Sequence, residues 1–335
     1  MSFINKYWFL ILLAMVATLL GVIWATSQGK KVSPQKTTLN KPVLPGNPLV
    51  SPINFTFDTQ TTLPNESPIL TIKKKSAYTR PDAERIAKAL EFTSQATTAQ
   101  DVVDGPIVSW TQEDKFLSVT LNSRQVNFDR NLELLNLTSE GTFLDSQSLN
   151  LKISSVFANL GISAGLQNLN QITNFITVDV HSPIPIITSE ENSLLKEILY
   201  SYQYDNKTFI NPSGGDFLAR VWVDKRGEIV KIESFETVAS LTPSQNLKIR
   251  NMDEIKSTIN KEGALFAIKD FEFAADPGIF SSITITKLEV AFLIPAKDDI
   301  AQPVFRLEGI GFGSSIQAAE VVLFLPALSS EYYKN

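Results

Sequence analysis

The chain has 335 residues, with 30 basic and 35 acidic side chains, one histidine, no cysteine and a net charge of −5. That balance holds no basic stripe, so no nucleic-acid partner is expected. The missing cysteine excludes disulfides, thiolate metal sites, cysteine nucleophiles and a lipid-modified cysteine anchor.

In chain order, residues 1–27 read as a short cytoplasmic tail and a transmembrane anchor. Tyr7 to Ala25, YWFLILLAMVATLLGVIWA, contains no charge, no proline and one glycine. As a helix it spans roughly 28 Å, close to the hydrocarbon thickness of a bilayer. Tyr7, Trp8 and Trp24 stand at its ends, where amphipathic rings favour the membrane interfaces. The lipid bilayer is therefore the expected partner of Tyr7–Ala25. Ala25-Thr26-Ser27 would pass as a cleavage site, but the apolar run exceeds the roughly 7–15 residues of a signal core. An uncleaved, single-pass signal anchor is expected. Lys30, Lys31 and Lys36 follow the run and only Lys6 precedes it, which by the positive-inside rule alone leaves the body inside. The short polar head and long polar stretch beyond argue the reverse. We expect the C-terminal body to be extracytoplasmic at a bacterial cell membrane.

Residues 28–68 form a Pro/Ser/Thr-rich linker that carries seven of the 17 prolines: Pro34, Pro42, Pro45, Pro48, Pro52, Pro64 and Pro68. Proline removes backbone donors and favours extended chain, so a semi-rigid, solvated spacer is expected, with Asn54 to Phe57 as the earliest folded segment. The sequons at Asn54, Asn65, Asn136 and Asn206 are ordinary in so Ser/Thr/Asn-rich a chain.

The body reads as α+β: three helix-plus-antiparallel-meander units, at 69–145, 146–240 and 241–328, and a tail at 329–335. Ala83, Ile86, Ala87 and Leu90 make one apolar helical stripe, with Thr79 and Pro81 as start signals. Ile153, Val156, Phe157 and Leu160 make a second stripe, closed by Gly161. Met252, Ile255 and Ile259 make a third, between Asn251 and Gly263. Strands are expected at Ile107–Trp110, Phe116–Leu121, Gln125–Phe128 and Phe175–Val180. Ser193–Tyr200 is helix-like. Further strands follow at Phe217–Val223, Glu228–Phe235, Ile283–Ile294, Val304–Glu308 and Ala319–Leu325. Asp224-Lys225-Arg226-Gly227 is a hairpin turn.

The helix followed by the hairpin FLARVWVDKRGEIVKIESF (217–235) resembles the PepSY-type extracytoplasmic module. The whole layout is similar to the YycH/YycI kind of bacterial regulator, and ITKLEVAFLIPAKDDIAQPVFRLEG (285–309) is similar to the closing unit of such ectodomains. The resemblance covers most of residues 79–328 as architecture and rests on no invariant motif. It implies regulation through protein contacts and carries over no catalytic residue.

Candidate chemistry is sparse. Asp179 and His181 share a strand face as an acid–base pair would, but no G-x-S-x-G elbow accompanies them. Gly309, Gly311 and Gly313 lack the strand–helix setting of a dinucleotide loop and read as a hairpin connection. Gly214-Gly215 reads as a turn. Asp298-Asp299 and Asp205-Asn206 lack calcium-loop spacing, and Lys73-Lys74-Lys75 reads as a solvated boundary. Trp110 and Trp222 suit either a ligand groove or, by preference, the core. We expect no catalytic, cofactor-binding or metal residues and no cofactor. The leading expectation is a non-enzymatic regulatory protein acting through contacts with an envelope protein. An envelope hydrolase and a structural or adhesive surface protein are the alternatives.

Overall fold

The computed structural model describes residues 38–50, 52–102, 105–161, 170–179, 182–235, 238–268, 276–295, 298–313 and 318–334. In chain order the strands are β1 (Asn47–Pro48), β2 (Asn54–Phe57), β3 (Glu66–Lys74), β4 (Thr97–Asp101), β5 (Gly105–Gln112), β6 (Lys115–Thr120) and β7 (Gln125–Arg130). Then come β8 (Asn170–Asp179), β9 (Ser182–Ile187), β10 (Leu195–Ser201), β11 (Gln203–Tyr204), β12 (Lys207–Ile210), β13 (Ala219–Asp224) and β14 (Ile229–Phe235). The last are β15 (Val238–Lys248), β16 (Ala264–Ile268), β17 (Ser282–Leu293), β18 (Ile300–Phe312) and β19 (Ala319–Pro326). The α-helices among the described residues are α1 (Arg80–Ala89), α2 (Ser146–Leu160) and α3 (Met252–Glu262).

The α+β expectation is therefore corrected: the protein is mainly β, built on two large sheets. In the nine-stranded sheet the order is β4-β5-β6-β7-β14-β13-β10-β8-β9. Every neighbouring pair in it is antiparallel. Strand β7 of the expected first unit pairs with β14 of the second, Phe128 opposite Ile232, so the two meanders form one sheet. The ten-stranded sheet runs β1-β16-β19-β18-β17-β12-β11, with β2 beside β17 and β3 joining β15 to β18. Residues 41–329 make one compact unit. In the other unit Leu39 N–H donates to Tyr332 C=O at 2.8 Å, and Lys334 N–H donates to Leu39 C=O at 3.0 Å.

The three helices form where their stripes and caps agree. Thr79 accepts from the Asp82 N–H while the Asp82 carboxylate accepts from the Thr79 N–H, a reciprocal capping box before α1. Asn251 and Glu254 do the same for α3. Asp145 caps α2, and Gly161 ends it with φ 70°, the left-handed conformation that glycine adopts without a Cβ clash. Helices α1 and α2 cover one face of the nine-stranded sheet. Ile86, Ile153, Phe157 and Leu160 pack there against Val108, Leu117, Val126, Ile198 and Val221. The Tyr200 ring meets Phe157 edge-on at 5.6 Å, and burial pushes its hydroxyl pKa up to about 12.

Ser193–Tyr200, expected as a helix, is instead strand β10, hydrogen-bonded between β13 and β8. Leu194, Leu195, Ile198 and Leu199 mimic a helical stripe because an interior strand buries residues on both faces. The expected solvated linker also joins the fold. Strand β1 pairs with β16, β2 runs parallel to β17, and Ile53 is fixed by Asn260 at both its N–H and its C=O, 2.9 Å each. Proline is tolerated here because these are short strands that need few ladder donors.

Among the described residues no helix is long and apolar enough to cross a membrane. The expectation of a single-pass transmembrane helix thus has no helix to support it, and Tyr7–Ala25 itself lies outside the described residues.

Candidate functional site

The face of the nine-stranded sheet opposite α1 and α2 carries side chains in register. One row crosses eight strands: Thr97, Ser109, Ser118, Asn127, Glu233, Arg220, Leu199 and Ile172 lie directly opposite one another in turn. Each of them is half-exposed or exposed. Alternation dictates this: Val108, Leu117, Val126, Ile232 and Val221 point to the helices, so their sequence neighbours point away. The next row runs Thr111, Phe116, Asp129, Lys231, Trp222, Glu197 and Asn174.

The centre of this face is a network of charges. Glu197, 5 % exposed, accepts from Asn174 Nδ2 at 2.8 Å and from the Trp222 indole N–H at 3.1 Å. Arg220 Nε lies 3.1 Å from Glu197 Oε1 as an ion pair without aligned hydrogen-bond geometry, and Arg220 Nη1 donates to Glu233 at 3.2 Å. The Arg220 guanidinium also lies 4.2 Å from the Phe217 ring centroid. Beside it Lys231 donates to Asp129 at 2.8 Å and sits 5.4 Å from the Trp222 ring. Trp222 is 4 % exposed because Leu132, Leu135, Leu137 and Leu194 pack over it with Ile176, Val178, Leu195 and Val230. A cleft of about 300 Å³ remains at this end, lined by Asp129, Asn131, Leu132, Trp222 and Lys231. Chemically the arrangement offers paired charges, amides, hydroxyls and the exposed apolar groups Phe116, Ile172 and Ile187.

Of the sequence-derived candidates Trp222 belongs to this face, and the other described ones lie elsewhere. Asp179 ends β8 and is exposed, and His181 lies outside the described residues. Gly309 and Gly311, expected in a hairpin connection, are inside β18. A Cβ on Gly309 would come 2.3 Å from the Thr284 carbonyl oxygen, and one on Gly311 2.5 Å from the Phe280 ring, so close packing requires these glycines. Gly214-Gly215 is a turn, with Gly214 at φ 90°. Asp205-Asn206 turns β11 into β12, and the Lys207 amine at 2.7 Å holds the Asp205 carboxyl below its usual range. Asp299 pairs with Lys74 at 3.4 Å, which places Lys74 on β3 rather than in a free basic run. Among the described residues no group of three or more His, Cys, Asp or Glu is placed to hold a metal ion. Trp110 is buried in the helix-side core.

Glu197, Arg220 and Glu233 went unrecognised in the sequence. Lys231 and Glu233 alternate visibly with Val230, Ile232 and Ser234, but Glu197 was masked by the helix-like stripe around it. No family model, no curated protein and no solved structure matches the chain.

Proposed function

We propose that this is a binding protein of the cell envelope that acts through protein–protein contacts, with the open face of the nine-stranded sheet as its contact surface. The observation that carries the reading is the half-exposed row from Thr97 to Ile172 across eight strands. At about 4.8 Å per strand that row is roughly 34 Å long. With the neighbouring row it matches the scale of a standard interface, about 800 Å² per partner. Arg220 is already held between Glu197 and Glu233, and Lys231 by Asp129, so a partner meets charges that need little reordering. Exposed Phe116 and Ile172 supply apolar anchors on either side of the charged centre. The resemblance of residues 217–235 to PepSY-type modules, which implies protein contacts, supports the same reading. Placement of the body outside the cell rests on the short polar head before Tyr7 and the polar stretch after Ala25, and is part of the proposal.

The test is site-specific photo-crosslinking in membranes of the native host, with the crosslinker at Asn127 or, as a control, at exposed Leu151 on α2. A discrete adduct at Asn127, lost with Arg220→Glu, is expected. An adduct at Leu151 with none at Asn127 would move the contact surface to the helices and sink the assignment. Paired topology reporters fused after Asn335 check the placement, and an active inside-only reporter refutes it.

A further inference from the structure

The ten-stranded sheet holds an apolar cavity where β17 ends and β18 begins. Gln302 stands directly opposite Leu293, so both side chains project to one face, the face on which Leu44 packs. Beside them opens a cavity of about 330 Å³ that Ile294 and Ile300 also line. Apart from Gln302 and Asp298, its lining among the described residues is apolar. Backbone donors are scarce in the walls. Pro42, Pro212 and Pro295 have none, and the Ile294 N–H donates to the Ile210 carbonyl at 2.9 Å. Gln302 is 4 % exposed, so its amide is a buried polar group at the cavity, whereas Asp298 is exposed at the rim.

Water in such a cavity finds few hydrogen-bond partners, whereas an aliphatic group gains from the same walls. At about 30 Å³ per water-sized group, the volume takes roughly ten non-hydrogen atoms. An amide forms hydrogen bonds but does not neutralise an ion. Among the described residues no basic side chain lines the cavity, so a carboxylate buried there stays uncompensated and is repelled by Asp298 as well. An alcohol or amide end carries no such cost, and the Gln302 amide offers it both donors and an acceptor. We infer that this cavity binds an aliphatic chain of about eight carbons that ends in an uncharged hydrogen-bonding group. The chain lies against Leu44, Leu293 and Ile300, and its polar end meets Gln302. The site is on the other sheet from the proposed contact surface and does not depend on that reading.

The test uses the full chain and a photoactivatable diazirine analogue of octan-1-ol. Each adduct is mapped by residue, so that the apolar run at 7–25 is scored separately. Adducts are expected on residues 42–44 or 298–302. Octan-1-ol should compete for them with a half-maximal concentration on the order of 1 mM. Octanoate should need about tenfold more. Gln302→Leu keeps the volume, removes the amide, and should weaken competition by octan-1-ol about tenfold. Absence of adducts on these residues, equal competition by octanoate, or unchanged competition in Gln302→Leu would overturn the inference. Octylamine competing about tenfold better than octan-1-ol would move recognition to the Asp298 charge and overturn it too. If Gln302→Leu fails to fold, the ranking of the competitors on the unaltered chain decides.

Discussion

The two sheets use the same strand geometry to opposite ends. In the nine-stranded sheet polar residues alternate with apolar ones, as in Gln125–Arg130; α1 and α2 cover one face, and the other is left to solvent except where Leu132, Leu135 and Leu137 cover Trp222. In the ten-stranded sheet β19 is buried on both faces from Val321 to Pro326, and β18 from Ala301 to Phe305. Phe305 and Leu307 fill one side, while Val304, Val322 and Phe324 pack with Leu44 and Phe266 on the other. A doubly covered sheet is a scaffold; a singly covered one also presents a surface. What differs in the sequence is the period-2 pattern, which the doubly buried strands lose.

The comparison breaks most visibly in the cores. Phe157→Ala and Phe305→Ala should each cost about 4 kcal/mol, read by denaturant unfolding. Hydrogen exchange should then separate them. Phe157→Ala should expose α1, α2 and their strands first, whereas Phe305→Ala should expose β17 to β19 first. Uniform loss of protection in both variants would show that the two sheets do not have distinct cores.

A smaller effect is expected at Arg250, which is 2 % exposed at the start of α3. It donates to Leu328 C=O, Thr258 Oγ1 and Glu262 at 3.1, 3.1 and 2.7 Å, and Glu262 also holds Lys41 at 3.1 Å. Arg250→Met should cost about 2 kcal/mol, less than a fully buried pair because Lys41 still neutralises the glutamate. Burial raises the Glu262 pKa, but the hydrogen bonds from Arg250 and Lys41 outweigh it and hold the carboxyl below 4.5. A depressed folded-state value means stability present above the unfolded pKa and lost as pH falls through the folded one. Melting temperature should therefore drop below pH 4.5, and Glu262→Gln should flatten that drop. An unchanged slope would show that this pair does not govern acid stability.

Caps come next. Thr79→Ala, under the nine-stranded sheet, and Asn251→Ala, beside the ten-stranded one, should each cost about 1 kcal/mol by the loss of one capping box. The smallest effect belongs to the open face. Asn127→Ala should change stability by no more than about 0.5 kcal/mol, because its row is half-exposed and replaceable. A larger cost would mean that this face is structural rather than presented.

Local chemistry was legible in the sequence. The three helices stand where apolar stripes meet capping residues, and the Asp224–Gly227 hairpin forms with Gly227 at φ 78°. Stripes, caps and tight turns are decided within a few residues, so a single chain segment carries all the information. The Pro-rich stretch misled because proline forbids interior ladders but not short edge pairings such as β1 on β16. Strand β10 misled because burial on both faces erases the alternation that marks a strand. Only the tertiary structure decided that β7 pairs with β14 across about a hundred residues and merges two expected units into one sheet. The same pairing brings Asn127, Glu233 and Arg220 into one row. Alternation tells each strand which side chains share a face. Which strand lies beside it is chosen by long-range register and core packing, and no local pattern encodes that choice.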